Sequence, residues 1–323
     1  MTLVSVELCA GAGGQALGLE QAGYEHEALV EIDAHACQTL RTNRPQWTVF
    51  EEDLNSPVNF IPSRYKGIDL LAGGLPCPPF SIAGKQLGEK DERNLFNRGI
   101  EIINEMQPRA VMFENVRGML GKSFEEYREL LGRKLRAMGY SHSWKLLNAS
   151  DFGVPQLRPR VVLVALKNEY QDFFEWPKVP LQKSLSVGET LLDLMAGNGW
   201  KGAADWSRTA DRIAPTIVGG SKKHGGPDLG PTRAKQAWLE LGVNGMGIAN
   251  EAPDPGFDGN PKLTVKMVAR LQGFPDDWHI TGNKTNAYRQ VGNAFPPPVA
   301  RAVAKEITSA LSKKQVFLFQ AAE

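Results

Sequence analysis

The apolar run Leu3–Leu8 ends in Cys9-Ala10-Gly11-Ala12-Gly13-Gly14, and a helical pattern follows from Gln15. Glycines at a tight strand-to-helix turn let backbone approach a ligand more closely than residues with side chains allow. Twenty residues after Gly11, at the end of a second apolar segment, stands Glu31. Doubly wound α/β sheets place there the carboxylate that holds ribose hydroxyls. The start of the chain is thereby restricted to a βαβ unit around a nucleotide-type ligand. Gly11-x-Gly13-x-x-Ala16 also satisfies a dinucleotide fingerprint, so a nicotinamide-dependent oxidoreductase remains open at this point.

The alternation continues through the first half. Leu3–Leu8, Ile68–Ala72, Ala110–Phe113 and Val161–Leu166 read as buried strands with helices between them. Phe124, Tyr127, Leu131, Leu135 and Met138 recur every three or four residues in a charged segment, the stripe of an amphipathic helix packed on a sheet. The expected fold class is α/β, a doubly wound, mostly parallel sheet covered on both faces. After Asn168 the regular alternation stops, and residues 197–259 hold 13 glycines in 63 positions against 33 in 323 for the whole chain. The expected division is 1–175 plus 262–323 as one domain, with 176–261 as a smaller, loop-rich one. The boundary stretches are Trp176-Pro177-Lys178-Val179-Pro180 and the surroundings of Pro261. Periodicity returns with Val265, Val268, Ala269 and Leu271, and again with Val299, Val303, Ile307 and Leu311.

Hydrophobic residues at 42% and charged residues at 23% exclude a disordered chain. A formal net charge of +1 means that any nucleic-acid face is local. The three cysteines, Cys9, Cys37 and Cys77, form no CxxC pair and fit free thiols in a reducing compartment. There is no basic region before an apolar stretch at the start, and the densest apolar run, Val161–Leu166, is far too short to span a membrane. The expected location is the cytoplasm. The five histidines, His26, His35, His142, His224 and His279, show no ligand spacing, so no metal is implied.

Cys77 lies in Gly73-Gly74-Leu75-Pro76-Cys77-Pro78-Pro79-Phe80-Ser81, a proline-stiffened loop after a strand, at the sheet edge where open α/β folds carry their sites. A core cysteine does not call for so many prolines and glycines around it. A free thiol is only a few per cent ionised at neutral pH, so a nucleophilic role needs a neighbouring cation, helix end or proton acceptor.

In these residues the chain resembles the DNA cytosine-5 methyltransferases, with motifs in the family's order over nearly its whole length. Ala10-Gly11-Ala12-Gly13-Gly14 resembles the S-adenosylmethionine loop, Glu31 the ribose ligand and Asp53 the adenine-binding acid. Pro76-Cys77-Pro78-Pro79-Phe80-Ser81 with Gly84-Lys85-Gln86 resembles the nucleophile loop, and Asn94-Leu95-Phe96 the segment after it. Glu114-Asn115-Val116, Gln156-Leu157-Arg158-Pro159-Arg160, Arg212 to Gly220 and Gln290-Val291-Gly292-Asn293-Ala294 resemble the later motifs.

The resemblance implies a Rossmann-like, S-adenosylmethionine-dependent catalytic domain with a target recognition domain beside it. It implies a cofactor site built from Cys9, Ala10, Gly11, Gly13, Gly14, Glu31, Ile32, Asp53, Leu54, Pro76, Leu95, Asn293 and Ala294. Its catalytic set is Cys77, Glu114, Arg158 and Arg160. Cys9 and Ile32 stand where relatives often carry aromatic residues, and Cys9 and Cys37 read as core residues. Arg158 and Arg160 flank Pro159, so an extended segment turns both guanidiniums to one side, toward the base oxygen, the Cys77 loop or the phosphate of the target nucleotide. The target cytosine is expected to be flipped out of the duplex.

Six basic residues between 208 and 235 (Arg208, Arg212, Lys222, Lys223, Arg233 and Lys235) face only Asp211 and Asp228 in sequence, with glycines between them. Such residues suit phosphate and base-edge contacts. Only 51 residues, 161 to 211, separate Arg160 from Arg212, which moves the expected reading segment to Ser221–Lys235. Expected DNA contacts are Ser81, Ala83, Lys85, Gln86, Lys222, Lys223 and Arg233. Double-stranded DNA is the expected partner, and a cognate restriction endonuclease would act on the same site without a stable complex. The protein is expected to be a monomer. A tRNA cytosine methyltransferase and a catalytically silent DNA-binding paralogue are the rivals. The long Gly220–Pro261 insertion argues against the first, the intact Cys77, Glu114, Arg158 and Arg160 against the second. An oxidoreductase would require neither the cysteine loop nor the later motifs.

Overall fold

The computed structural model describes residues 2–76, 95–179, 184–219 and 227–320. It opens with β1 (Leu3–Leu8), α1 (Gly14–Gln21), β2 (Tyr24–Glu31), α2 (Ala34–Asn43), β3 (Val49–Glu51) and β4 (Leu70–Gly73). After α3 (Leu95–Met106) come β5 (Ala110–Val116), α4 (Glu125–Ala137), β6 (Tyr140–Asn148) and β7 (Pro159–Lys167). The glycine-rich segment holds α5 (Val187–Met195), α6 (Ala203–Thr209) and α7 (Thr232–Leu239). The chain then forms α8 (Val265–Leu271), α9 (Lys284–Asn293) and α10 (Pro297–Gln320).

Among the described residues the seven strands form one sheet in the order β3-β2-β1-β4-β5-β7-β6. The strand order reverses between β1 and β4, which pair in parallel with Leu8 opposite Gly73. Both chains leave the sheet there at their carboxyl ends and open a crevice between them. The sheet is parallel from β3 to β5, but β7 runs antiparallel to both β5 and β6. The apolar run Val161–Leu166 carried no sign of its direction. The edge strand β6 (YSHSWKLLN) is half-exposed over most of its length, and its polar content hid it from a search for buried runs. Strand β5 is longer than expected and carries Glu114 within it, opposite Val162.

The helices form where local chemistry directs them. The α4 stripe buries Tyr127, Leu131 and Leu135, with Glu125 and Glu126 in its first turn and Lys134 and Arg136 in its last, the order that complements the helix dipole. Ser186 and Glu189 close a capping box on α5, and the Asp33 side chain caps α2. One face of the sheet is packed by α3 and α4 through Phe96, Ile103, Leu131 and Leu135, the other by α1 and α10 through Leu19, Val303 and Ile307. A third cluster joins Val187, Trp206 and Trp238 of the glycine-rich segment to Met267, Val291, Leu40 and Leu29. The expected loop-rich module carries three short helices between its loops where it is described, and its apolar core is continuous with that of α2, α8 and α9. Among the described residues no helix is long and apolar enough to cross a membrane.

Candidate active site

The glycine loop is built by backbone. The Ala10 N–H donates to the Val30 carbonyl at 3.1 Å, and the Gly13 N–H closes back on the Ala10 carbonyl at 3.0 Å. Gly13 caps α1 in the left-handed conformation with φ +80°, and a Cβ there would lie 2.7 Å from Leu40. Only glycine meets both conditions. Behind the loop, the Trp278 indole N–H donates to the Ala12 carbonyl at 3.0 Å.

A cavity of about 380 Å³ opens at the carboxyl ends of β1, β2 and β4. The structure brings Cys9, Ala10, Gly11, Gly14, Glu31 and Ile32 to its wall, with Pro76, Leu95, Asn293 and Ala294. Gly13, Asp53 and Leu54 do not line it. Gly13 turns toward Leu40 and Trp278. The Asp53 carboxylate accepts from the Asn55 N–H in its own turn at 2.9 Å, and Leu54 is buried in the core. Cys9 is only partly buried and adopts φ +54°, while Cys37 is fully buried and its thiol donates to the Glu31 carbonyl at 3.4 Å. Burial and the carboxylates of Glu31, Glu7 and Asp53 push the Cys9 thiol far up, which makes it a poor nucleophile. Ile32 is 65% exposed at the cavity rim.

Glu31, the last residue of β2, organises the site. Its Oε2 accepts the Gly11 N–H at 2.7 Å, and its Oε1 accepts those of Ile32 at 2.9 Å and Asp33 at 2.8 Å. A carboxylate has about four acceptor positions, so one stays open to a ligand hydroxyl. Burial raises its pKa, opposed by the three N–H donors.

Sequence reading missed Glu7, Gln15, Asp33, Arg289 and Phe295, all on this wall, and named Gln290 there only as part of a motif. Glu7 carried a usable signal, an acid inside an otherwise apolar strand, since buried acids are rare without a partner. It is 1% exposed, and among the described residues its Oε2 has no hydrogen-bond partner. Burial and the neighbouring Glu31 push its pKa well up. The Gln15 Oε1 is likewise unpartnered among the described residues, while its Nε2 donates to the Met112 carbonyl at 3.3 Å. Arg289 pairs with Asp33 at 3.4 Å.

Glu114 lines the same cavity from β5 and is 8% exposed. Its Oε1 is 2.7 Å from the Arg160 Nε. A Cβ on Gly74 would lie 3.5 Å from its Oε2, which puts the carboxyl against the segment that leads into the Cys77 loop. The Asn115 amide donates to the Leu75 carbonyl at 2.9 Å and ties β5 to that segment. Burial raises the Glu114 pKa, with Arg160 and Arg158 pulling the other way.

Arg158 and Arg160 both lie within electrostatic reach of Glu114, but they are held by different partners. Arg158 is 0% exposed and points into the protein, where its Nη1 donates to the Ile217 carbonyl at 2.6 Å and its Nη2 to those of Gly292 and Ala294 at 2.7 and 2.9 Å. Three buried carbonyls hold the guanidinium more strongly than an open cleft would. Of the two arginines, only Arg160 meets Glu114 in an ion pair.

Cys77, Ser81, Ala83, Lys85, Gln86, Lys222 and Lys223 lie outside the described residues. Part of the local basic excess is neutralised: Arg208 pairs with Asp205, Arg212 with Glu240 at 3.5 Å and Lys235 with Asp228 at 2.7 Å. Arg233 is exposed on the first turn of α7. A larger cavity of about 840 Å³ between Leu157, Ser186, Arg212 and Ala237 carries Asp151, Glu189, Asp211 and Glu240. Its acidic lining, and its lack of the glycine loop and Glu114, set it apart from the site. Among the described residues no cluster of three His, Cys, Asp or Glu side chains is arranged to hold a metal.

Residues 3–309 match the model of the C-5 cytosine-specific DNA methylase family. The Type II methyltransferase M.NaeI of Lentzea aerocolonigenes is 57% identical over 314 residues, 96% of this chain and 76% of that protein. M.NgoMIV of Neisseria gonorrhoeae, also a Type II methyltransferase, is 53% identical over 317 residues, 97% of this chain and 100% of that protein. The fold matches a DNA modification methyltransferase encoded within an E. coli prophage, with a TM-score of 0.67, 22% identity and coverage of 96% and 99%. It also matches DNMT2 of Spodoptera frugiperda, with a TM-score of 0.66, 18% identity and coverage of 95% and 99%. The chain belongs to the C-5 cytosine-specific DNA methylase family and is a DNA cytosine-5 methyltransferase of the bacterial restriction-modification type.

Proposed function

We propose that the protein transfers a methyl group from S-adenosylmethionine to carbon 5 of a cytosine flipped out of a specific duplex sequence, through a covalent adduct of Cys77. The observation that carries this reading is the position of Glu114, held by Arg160 at 2.7 Å and sharing one cavity wall with Glu31 and the glycine loop. A proton donor and a nucleoside-type cradle are thus side by side.

The residues present fit the cofactor. Glu31 offers an open acceptor position to ribose hydroxyls. Glu7 and Gln15 offer unpartnered buried acceptors to a cationic group, and a buried carboxylate is poorly tolerated without one. When bound, S-adenosylmethionine supplies an electrophilic methyl on a sulfonium sulfur. The Cys77 thiolate adds to cytosine carbon 6, forming an S–C bond and pushing the ring electron pair toward carbon 5, while Glu114 gives a proton to ring nitrogen 3. With the cofactor bound, the pair at carbon 5 would accept the methyl group it supplies, leaving the neutral thioether as product. A base then removes the carbon 5 proton, the electron pair of that bond re-forms the carbon 5–carbon 6 double bond as the carbon 6–sulfur bond breaks and the thiolate returns, and the nitrogen 3 proton goes back to Glu114. Extrusion of the base costs a few kcal/mol of unstacking, offset by pocket and phosphate contacts.

The proposed division is a catalytic domain of 1–175 plus 262–323 and a target recognition domain of 176–261. The enzyme acts as a monomer in the bacterial cytoplasm, on nucleoid DNA, alongside a cognate endonuclease with which it forms no stable complex. Transfer of labelled methyl to duplex DNA of mixed sequence, run beside a tRNA pool, tests the reading. Transfer to the duplex alone is expected, and transfer to tRNA alone would move the function to RNA modification.

Two further outcomes are expected. Substituting Lys222, Lys223 and Arg233 by alanine lowers duplex affinity and reduces the log–log salt slope by up to about 3. An unchanged salt titration would remove them from the interface. Burial and Glu31 raise the Glu7 pKa, and a cationic group bound beside it would favour the carboxylate and release of a proton to solvent, so S-adenosylhomocysteine affinity should rise with pH as Glu7 ionises. Calorimetry in buffers of different ionisation heat should detect proton release from the wild type, reduced in Glu7→Gln.

A further inference from the structure

Four segments distant in sequence meet at a knot of three side chains, Gln156, Arg158 and Gln272, each 0% exposed. Gln272 ends α8. Its Nε2 donates to the Val291 carbonyl at 2.8 Å and the Ala294 carbonyl at 3.3 Å, and its Oε1 accepts from the Gln156 Nε2 at 2.5 Å. The Gln156 Oε1 in turn accepts the Ile217 N–H at 2.8 Å, while Arg158 takes the Ile217 carbonyl. Both polar groups of the Ile217 peptide position are thereby held from one short segment. The Ala294 carbonyl is shared by Arg158 and Gln272.

The knot lies between two working surfaces. On one side, Asn293, Ala294 and Phe295 line the cavity. On the other, Ile217–Gly219 leads into Gly220-Ser221-Lys222-Lys223, the start of the proposed reading segment. The two are in backbone contact: a Cβ on Gly292 would lie 2.4 Å from the Gly219 Cα, and one on Gly219 would lie 2.3 Å from the Asn293 Oδ1. No side chain fits between them, so a small change in register moves the cavity wall and the Val218–Gly219 backbone together.

We propose that Gln272 is a positioning residue that, through Gln156 and Arg158, fixes the register between the Asn293–Phe295 cavity wall and the extended Ile217–Gly219 segment, so that cofactor binding and duplex binding both depend on it. This rests on the functional reading above. A hydrophobic residue of like volume at 272 would strip one hydrogen bond each from the Val291 carbonyl, which keeps the Ala294 N–H at 3.2 Å, and from the Gln156 amide, which keeps the Leu271 carbonyl at 3.1 Å, and so would slacken the knot that joins the four segments.

The test uses full-length Gln272→Leu and the isosteric Gln272→Glu, which keeps the acceptor for Gln156 but loses the donor to Val291 and Ala294. S-adenosylhomocysteine affinity is measured by calorimetry, duplex affinity by fluorescence anisotropy, and KM and kcat per titrated competent site by methyl transfer. Gln272→Leu is expected to weaken S-adenosylhomocysteine and to raise KM for DNA by about tenfold each, with kcat per competent site changed by less than about threefold. Amide exchange should rise at Val218–Gly219 and at the end of α9. Lowering the pH should partly restore Gln272→Glu, since a protonated carboxyl regains one donor. Unchanged affinities with only a lower melting temperature would reduce Gln272 to a stabilising contact and overturn the proposal. If Gln272→Leu does not fold, an unchanged Gln272→Glu overturns it equally. A wild type that binds neither S-adenosylhomocysteine nor duplex would overturn the functional reading instead.

Discussion

Cys77→Ser is expected to lower methyl transfer to duplex DNA by on the order of 10⁴-fold, while S-adenosylhomocysteine affinity stays within about twofold of wild type. A serine hydroxyl in that place is far less ionised than a thiol at neutral pH and a weaker nucleophile toward carbon 6. Because the proposed reaction needs the adduct before carbon 5 can accept a methyl, the loss falls on kcat. A duplex carrying a cytosine analogue that cannot lose its carbon 5 substituent should trap wild type as a covalent complex resistant to denaturant, and should trap none of the variant. Retention of more than a tenth of the wild-type rate would remove Cys77 from the chemistry. The roles of Cys9 and Cys37 differ in kind. The thiol of Cys9 is pushed far up by burial and three carboxylates, and that of Cys37 is pushed up to about 12. Alkylation kinetics of the folded protein should therefore follow Cys77.

Glu114→Gln should reduce kcat/KM by about 10²–10⁴-fold, the range for loss of a positioned proton donor. The amide can still donate a hydrogen bond toward ring nitrogen 3 but cannot transfer a proton, so binding should suffer less than rate. The pH dependence has a definite sign. Burial holds the Glu114 pKa above the ordinary carboxyl value of 4.5, and Arg160, although 2.7 Å away, only partly reverses this. The acid form persists to higher pH than an exposed glutamate would allow. Donor activity falls as pH rises through the elevated value, and this limb should vanish in Glu114→Gln. Stability follows the same direction. A carboxyl with a raised folded-state pKa contributes fully below its unfolded value, and that contribution is lost as pH rises through the folded one. Urea midpoints should therefore fall more from acid to neutral pH in wild type than in the variant. A parallel course for the two proteins would show that Glu114 does not titrate in this window.

The ion pair with Arg160 makes the second arginine of the Gln156–Arg160 motif the one that meets the proposed proton donor. Arg158, one turn of extended chain away, binds only backbone carbonyls and belongs to the frame. Two residues of one type in one short motif thus have different work, and the difference comes from what packs around each.

Local order was legible in the residues alone. The Leu3–Leu8 strand, the stripe from Phe124 to Met138 and the interval from Gly11 to Glu31 follow from side-chain periodicity and from glycine's access to positive φ, which act within a few residues of chain. The motif order along the chain was enough to mark Glu114 and Arg160 for one site. Tertiary structure alone decided the antiparallel course of Pro159–Lys167, the half-exposed strand Tyr140–Asn148 and the complete burial of Arg158. It also decided the gathering of Glu7, Gln15 and Arg289 at one wall and the knot at Gln272. Each depends on partners remote in sequence, as Arg158 does on carbonyls 59, 134 and 136 residues away. Periodicity reports which face of an element is apolar. Which buried polar atom meets which carbonyl is set only when those remote segments pack and water leaves, because only then must every donor and acceptor find its partner within the protein.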